Sequence, residues 1–143
     1  MKFDFSNHDF APGALRWDCE TQGCFNKKLR PKIEVFRDCF PRNISFGDVD
    51  GIVELNSAFL MLEWKSPGGE VTTGQRIMYQ RFSKTKNSAA IIAEGNAETM
   101  DVTAYQTYWE GRKGERKESD LDGLKDKIRE WVEIVKKGNK KYG

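Results

Sequence analysis

Apolar and polar positions along the chain change period several times, and each change marks an element. From Asn26 to Phe40, Leu29, Ile33, Phe36 and Phe40 recur at helical spacing. Pro31 suits a first helical turn and would disrupt an interior, so the regular part is expected from about Arg30, with Pro41 and Asn43 ending it. Phe46–Leu55 and Phe59–Lys65 then alternate as two strands about the turn "NSA", and "SPGG" breaks the chain after them. Thr72-x-x-Gln75 has the form of a capping box, opening a helix to about Phe82. Ala89–Glu94 and Val102–Trp109 read as two further strands. Ser119-x-x-Asp122 opens a last helix with Leu121, Leu124, Ile128, Trp131 and Val135 as its stripe and Gly138 as its stop. The order α-β-β-α-β-β-α predicts an α/β domain with helices packed on a small mixed β-sheet. It is expected to occupy residues 1–143 as one unit, with an irregular segment over 1–25.

The strand pair carries more charge than a core hairpin needs. Side chains alternate faces along a strand. Val49, Val53, Leu55, Leu60, Leu62 and Trp64 suit a core, whereas Asp48, Asp50, Ile52 and Glu54 share the other face with Phe59, Met61, Glu63 and Lys65. With Leu55 opposite Ala58, Glu54 faces Phe59, Ile52 faces Met61, Asp50 faces Glu63 and Asp48 faces Lys65. Directly opposed side chains sit about 4.5–5.5 Å apart at Cβ, and like charges there destabilise a sheet. A divalent cation between Asp50 and Glu63 would offset that repulsion. Oxygen-only coordination suits Mg²⁺, which takes remaining ligands from water and substrate phosphate. A lysine one step along can stabilise developing phosphorane charge or orient water. An ordinary charged surface is the competing explanation for any one of these residues taken alone.

"GDVDG" followed by "EWK" resembles the PD-(D/E)XK nuclease superfamily, and "GQRIMYQ", with Gln75-x-x-x-Tyr79, resembles the Q-x3-Y element of its RecB-like branch. The layout is most similar to small VRR-NUC-like and phage-type nucleases, over about Arg30 to Phe82. The resemblance implies a restriction-endonuclease-like core and a metal-dependent DNA nuclease. It implies Asp50 and Glu63 as ligands to Mg²⁺ or Mn²⁺, the Trp64 backbone carbonyl as a further ligand, and Lys65 as the catalytic lysine. Asp48 is an alternative or additional ligand to Asp50. Gln75 and Tyr79 lie one helical turn apart and would support the site, unless Gln75 only caps its helix and Tyr79 only fills the core. The glutamate that many members carry on the first helix would be Glu34, with Glu20 as an alternative.

Composition narrows the partners. Of 143 residues, 38% are hydrophobic and 32% charged, so a folded core is affordable. No apolar run approaches the roughly 20 residues that span a bilayer, and no secretory h-region opens the chain. No membrane association and a cytoplasmic, bacterial or phage-encoded protein are the expectation. The net charge of +2 is mild, but the basic residues cluster. Lys27, Lys28 and Arg30 in one cluster, and Arg112 and Lys113 in another, are the candidates for holding DNA phosphates. Tyr105, Tyr108 and Trp109, just before the second cluster, are candidates for base stacking or for core. Cys19, Cys24, Cys39 and His8 match no structural-zinc spacing, so incidental thiols are expected rather than zinc. A homodimer is conceivable for cutting two strands. The competing function is a non-catalytic nucleic-acid-binding or host-factor-blocking phage protein on the same fold.

Overall fold

The computed structural model describes residues 31–137. These fall into two compact units, 31–48 and 49–137.

The 31–48 unit contains a 3₁₀ helix, Ile33–Cys39, in place of the α-helix expected up to Phe40, and none of its residues is buried. β-branched and aromatic side chains are weak helix formers, and a seven-residue segment between Pro31 and Pro41 is too short to hold an α-helix by propensity. The tighter turn is held locally, for example by the Phe40 N–H donating to the Arg37 carbonyl. Phe46 stands edge-on to Phe36 and Phe40, with centroids 6.0 and 5.2 Å apart. Cys39 is exposed. Cys19, Cys24, His8, Glu20 and the cluster Lys27, Lys28 and Arg30 lie outside the described residues.

The 49–137 unit is a mixed α/β structure. Its elements are β1 (Gly51–Leu55), β2 (Ala58–Lys65), α1 (Thr73–Phe82), β3 (Ala89–Asn96), β4 (Asp101–Trp109), β5 (Arg112–Lys113), β6 (Lys117–Glu118) and α2 (Leu121–Lys137). The open sheet runs β1-β2-β3-β4-β5, with β6 also paired to β4. Only β2 and β3 are parallel, and α1 lies in the crossover between them. β5 and β6 have no counterpart in the expected order. They are two-residue strands, all exposed, whose side chains are Arg, Lys, Lys and Glu, so no apolar alternation announces them. Charged, very short edge strands discourage pairing with other chains.

The hairpin turn forms as its residues dictate. Asn56 and Ser57 both take positive φ, 50° and 67°, as a two-residue type I′ connection requires. The Ser57 N–H is held by Glu54 Oε2 at 2.8 Å. Leu55 therefore opposes Ala58, and Ile52 opposes Met61, in the expected register. The first strand is shorter than expected, because pairing stops at Gly51 with Leu62 and residues 46–50 lie outside it.

β3 explains why the unit has two cores. Its "AAIIA" run is buried on both faces, as a central strand should be. On one face Ala89, Ile91 and Ala93 pack with Leu60, Trp109 and the α2 residues Leu124, Trp131, Ile134 and Val135. On the other, Ala90 and Ile92 pack with Met61, Tyr108 and Tyr79 of α1. The result is a sheet between two helical layers. Tyr108 and Trp109 are core residues, 0% and 8% exposed, which removes both from base stacking. Strand alternation sends them to opposite faces, and each face is covered.

Candidate functional site

The expected face-sharing of Met61, Glu63 and Lys65 holds, but the face is not open to solvent. The crossover lays α1 over it, leaving Glu63 12% and Lys65 19% exposed in their side chains. A glutamate and a lysine this deeply covered cost desolvation energy unless paired. Their own separation is 3.8 Å, from Lys65 Nζ to Glu63 Oε1.

Asp50 reaches the same end of β2 by a route the strand pattern does not show. It precedes β1, so it forms no ladder pair with Glu63 as the alternation predicts. Its Oδ2 instead accepts the Trp64 N–H at 2.6 Å. A side chain thus takes the place of the missing backbone partner where β1 stops short. The carboxylate is fixed beside the peptide that joins Glu63 to Trp64. Asp50 remains exposed on its other side.

α1 is begun by its cap. The Thr72 hydroxyl accepts the Gln75 N–H at 3.2 Å, and Gln75 Oε1 accepts the Thr72 N–H at 3.1 Å. The same Gln75 Oε1 accepts Lys65 Nζ at 3.2 Å. Gln75 therefore serves both roles at once: it caps the helix and orients the lysine. Before it, Pro67 and Gly68 occupy the centre of a turn closed by the Gly69 N–H on the Ser66 carbonyl at 2.8 Å. Gly68 has φ +79°, the conformation a type II turn demands at that position.

Tyr79, one turn along from Gln75, also joins both alternatives. It is fully buried, and its ring meets Tyr108 at 5.5 Å between centroids. Burial first, and then the Glu63 carboxylate charge, hold its phenol far above the ordinary range, with smaller contributions from Tyr108 and Asp50. The charges of both Glu63 and Asp50 thus act on this buried hydroxyl.

The structure brings together Asp50, Glu63, Trp64, Lys65, Gln75 and Tyr79. Asp48 and Glu34 belong to the 31–48 unit; both are exposed, and Glu34 stands in the first turn of the 3₁₀ helix. Asp48 therefore has no strand pairing with Lys65, because the ladder ends at Gly51. Arg112 and Lys113 lie exposed on β5, at the opposite side of the sheet from β1.

Magnesium's preference for oxygen donors fits what the site offers: the Asp50 and Glu63 carboxylates and the Trp64 carbonyl. Among the described residues no group of three or more His, Cys, Asp or Glu is gathered as a ready-made cage, so any ion here would draw on backbone, water and a ligand. Sequence reading missed Glu94, Arg76 and Gln106, and took Arg116 only as part of the basic cluster that holds Arg112 and Lys113; all four line a cleft beside Lys65. The Arg116 guanidinium donates to Glu94 through Nε at 2.6 Å and holds the Glu94 carboxyl below the usual range. The β3–β4 register, with Ile92 opposite Gln106, sets Glu94 and Gln106 on one face, while Arg76 comes from α1 and Arg116 from the segment between β5 and β6. No helix among the described residues is long and apolar enough to cross a membrane. No protein-family model, curated protein or solved structure matches the chain.

Proposed function

We propose that the protein is a metal-dependent DNA nuclease hydrolysing phosphodiester bonds, on a restriction-endonuclease-like core. The observation that carries the reading is the 2.6 Å bond from the Trp64 N–H to Asp50, which secures one carboxylate at the residue following a second, Glu63. Asp50, Glu63 and the Trp64 carbonyl would hold Mg²⁺ or Mn²⁺. A bound divalent ion there supplies Lewis acidity toward a phosphoryl oxygen and a lowered pKa for water.

The chain's own residues supply the rest. Lys65, held by Gln75, presents an ammonium beside the carboxylates, where it can orient the attacking water and balance charge on the phosphoryl oxygens. Tyr79 keeps its proton throughout the neutral range and so acts as a fixed dipole next to Glu63 rather than as a base. α1 and the sheet exclude water from one side of the site, which strengthens these interactions. Arg112 and Lys113 are proposed to hold backbone phosphates. Cutting both strands of a duplex would take two copies of the chain, working where DNA is found in a bacterial or phage-infected cell.

The test is incubation with labelled duplex, nicked, branched and single-stranded DNA in Mg²⁺, Mn²⁺ or EDTA. Cleavage that needs the metal and disappears in Glu63→Gln and Lys65→Ala supports the reading. No metal-dependent cleavage of any substrate, or variants as active as the parent, overturns it.

A further inference from the structure

The cleft beside Lys65 has a volume of about 410 Å³ and lies wholly within the 49–137 unit. Its walls come from the end of β2, the turn leading into α1, α1 itself, and β3, β4 and β5. Four of its lining residues are cations, Lys65, Arg76, Lys113 and Arg116, against the two carboxylates Glu70 and Glu94. Glu94 is already committed to Arg116. Among the described residues Arg76 bonds a neutral partner, Gln80 Oε1, through Nη1 at 3.2 Å, and neither Arg76 nor Lys113 has a carboxylate partner. Positive charge is therefore left over, on a fork and on a point charge facing one space.

Tyr108 lines the same cleft. Its hydroxyl is buried and has no hydrogen-bond partner among the described residues, in a protein interior where such groups are almost always paired. Burial raises its phenol above the ordinary value and the nearby Arg76 charge draws it back, which sets Arg76 and the hydroxyl in one electrostatic neighbourhood. A neutral O–H donor beside a guanidinium and an ammonium is a set of donors that outnumbers the acceptors of the lining, where Glu94 is taken by Arg116 and Glu70 is the other carboxylate. A tetrahedral, multiply charged oxyanion is the ligand that such a set recognises.

We propose that this cleft is a phosphoryl-binding site, in which Arg76, Lys113 and Tyr108 hold a phosphate group of a bound polynucleotide adjacent to the one at Lys65. The polynucleotide as the source of that phosphate rests on the nuclease reading, whereas the phosphoryl site itself does not. Lys65 borders both places, so a strand lying across Asp50 and Glu63 is led toward β5, where Arg112 and Lys113 are exposed. Arg116, tied to Glu94, shapes the wall and is not a direct ligand in this arrangement.

The experiment is binding in EDTA, where hydrolysis cannot contribute, using the full chain and two probes: inorganic phosphate and a short single-stranded oligothymidylate. Lys113→Ala and Arg76→Ala should each weaken oligothymidylate about tenfold, as expected for loss of one charge-assisted contact. Lys113→Ala should also reduce the slope of log affinity against log salt by about 0.7. Tyr108→Phe, which keeps the ring, should weaken binding about threefold to tenfold. Lys113 is exposed on an edge strand, so its variant keeps the fold even if Tyr108→Phe disturbs it. Variants that weaken only inorganic phosphate would keep the site and overturn the polynucleotide as its occupant. A parent that binds neither probe, or three variants that bind both as the parent does, would overturn the proposal. A parent that binds through the cleft but cleaves nothing in Mg²⁺ or Mn²⁺ would sink the nuclease reading and leave the cleft standing.

Discussion

The two faces of the sheet are built from the same strands and solve different problems. The α2 face is closed with Leu60, Ile91, Trp109, Trp131 and Ile134, and the deep polar groups of α2 are partnered: Trp131 Nε1 donates to the Asn87 carbonyl at 2.8 Å, and the buried Lys127 pairs with Glu130 at 3.3 Å. The α1 face contains Met61, Ala90 and Ile92, but also two buried tyrosines, Glu63 and Lys65. Folding stability favours the first composition, because buried polar groups gain little over apolar ones and cost much when unpaired. The difference teaches where to look for function: a face that buries two tyrosine hydroxyls with no hydrogen-bond partner among the described residues, beside Glu63 and Lys65, is arranged for something other than stability.

The comparison can be broken most sharply by exchanging one residue on each face. Lys65→Ala and Glu63→Gln should lower metal-dependent cleavage by on the order of a hundredfold or more while thermal unfolding stays cooperative. Trp131→Ala on the α2 face should do the reverse. It should cost about 3–5 kcal/mol of stability in denaturant titration, and leave the activity of whatever fraction remains folded unchanged.

Asp50 separates charge from structure. Asp50→Asn keeps an acceptor for the Trp64 N–H, so its unfolding midpoint should stay near the parent's while metal binding, read by Mn²⁺ titration, is lost. Asp50→Ala should lose the midpoint as well, by about 1 kcal/mol, because it leaves that N–H without its partner. Thr72→Ala sits lower still in effect on catalysis. It removes half of the capping box, costing about 1 kcal/mol, and loosens Gln75, so cleavage should fall less than in Lys65→Ala.

The smallest effect belongs to pH. The Tyr79 phenol is raised in the folded state above its ordinary value of 10.0. The stability this contributes is fully present below that unfolded value and is lost as pH rises toward the higher folded one. Tyr79→Phe should therefore flatten the alkaline limb of the unfolding midpoint against pH. Glu94 runs the other way: its depressed value contributes stability above the ordinary carboxylate range that is lost on acidification, so Arg116→Ala should lower the unfolding midpoint near neutral pH and flatten its acid limb.

Much of this arrangement was legible in the chain. Asn56-Ser57 specified the turn and hence the register down to Ile52 and Met61, and Thr72-x-x-Gln75 specified where α1 starts. What alternation could not show was where pairing ends. Asp48 and Asp50 continue the strand's alternation on paper, yet the ladder stops at Gly51, and Asp50 acts as a side-chain cap on Trp64. The burial of Glu63 was equally hidden, because it depends on α1 crossing above β2, a tertiary fact. At the last helix the start was misread by one residue: Asp120, not Ser119, holds the Gly123 N–H at 2.8 Å. Arg112 and Lys113 read as phosphate-holding charge with no strand assigned, although both pair with β4.

The parallel pairing of β2 with β3 has a consequence in time. Asp50, Glu63, Lys65, Gln75 and Tyr79 all precede β3 in the chain, but the strands that cover them, β3 and β4, follow. During synthesis these side chains leave the ribosome before their own surroundings exist. The hairpin β1–β2 and the hairpin β3–β4 can each form from near neighbours, whereas joining them must close the loop that contains α1. The covered end of β2 is consequently completed only when that loop closes. A chain not yet extended to β3 can form the Asp50–Trp64 bond and the cap of α1, but the proposed catalytic residues reach their buried surroundings only when β3 and β4 have joined the sheet.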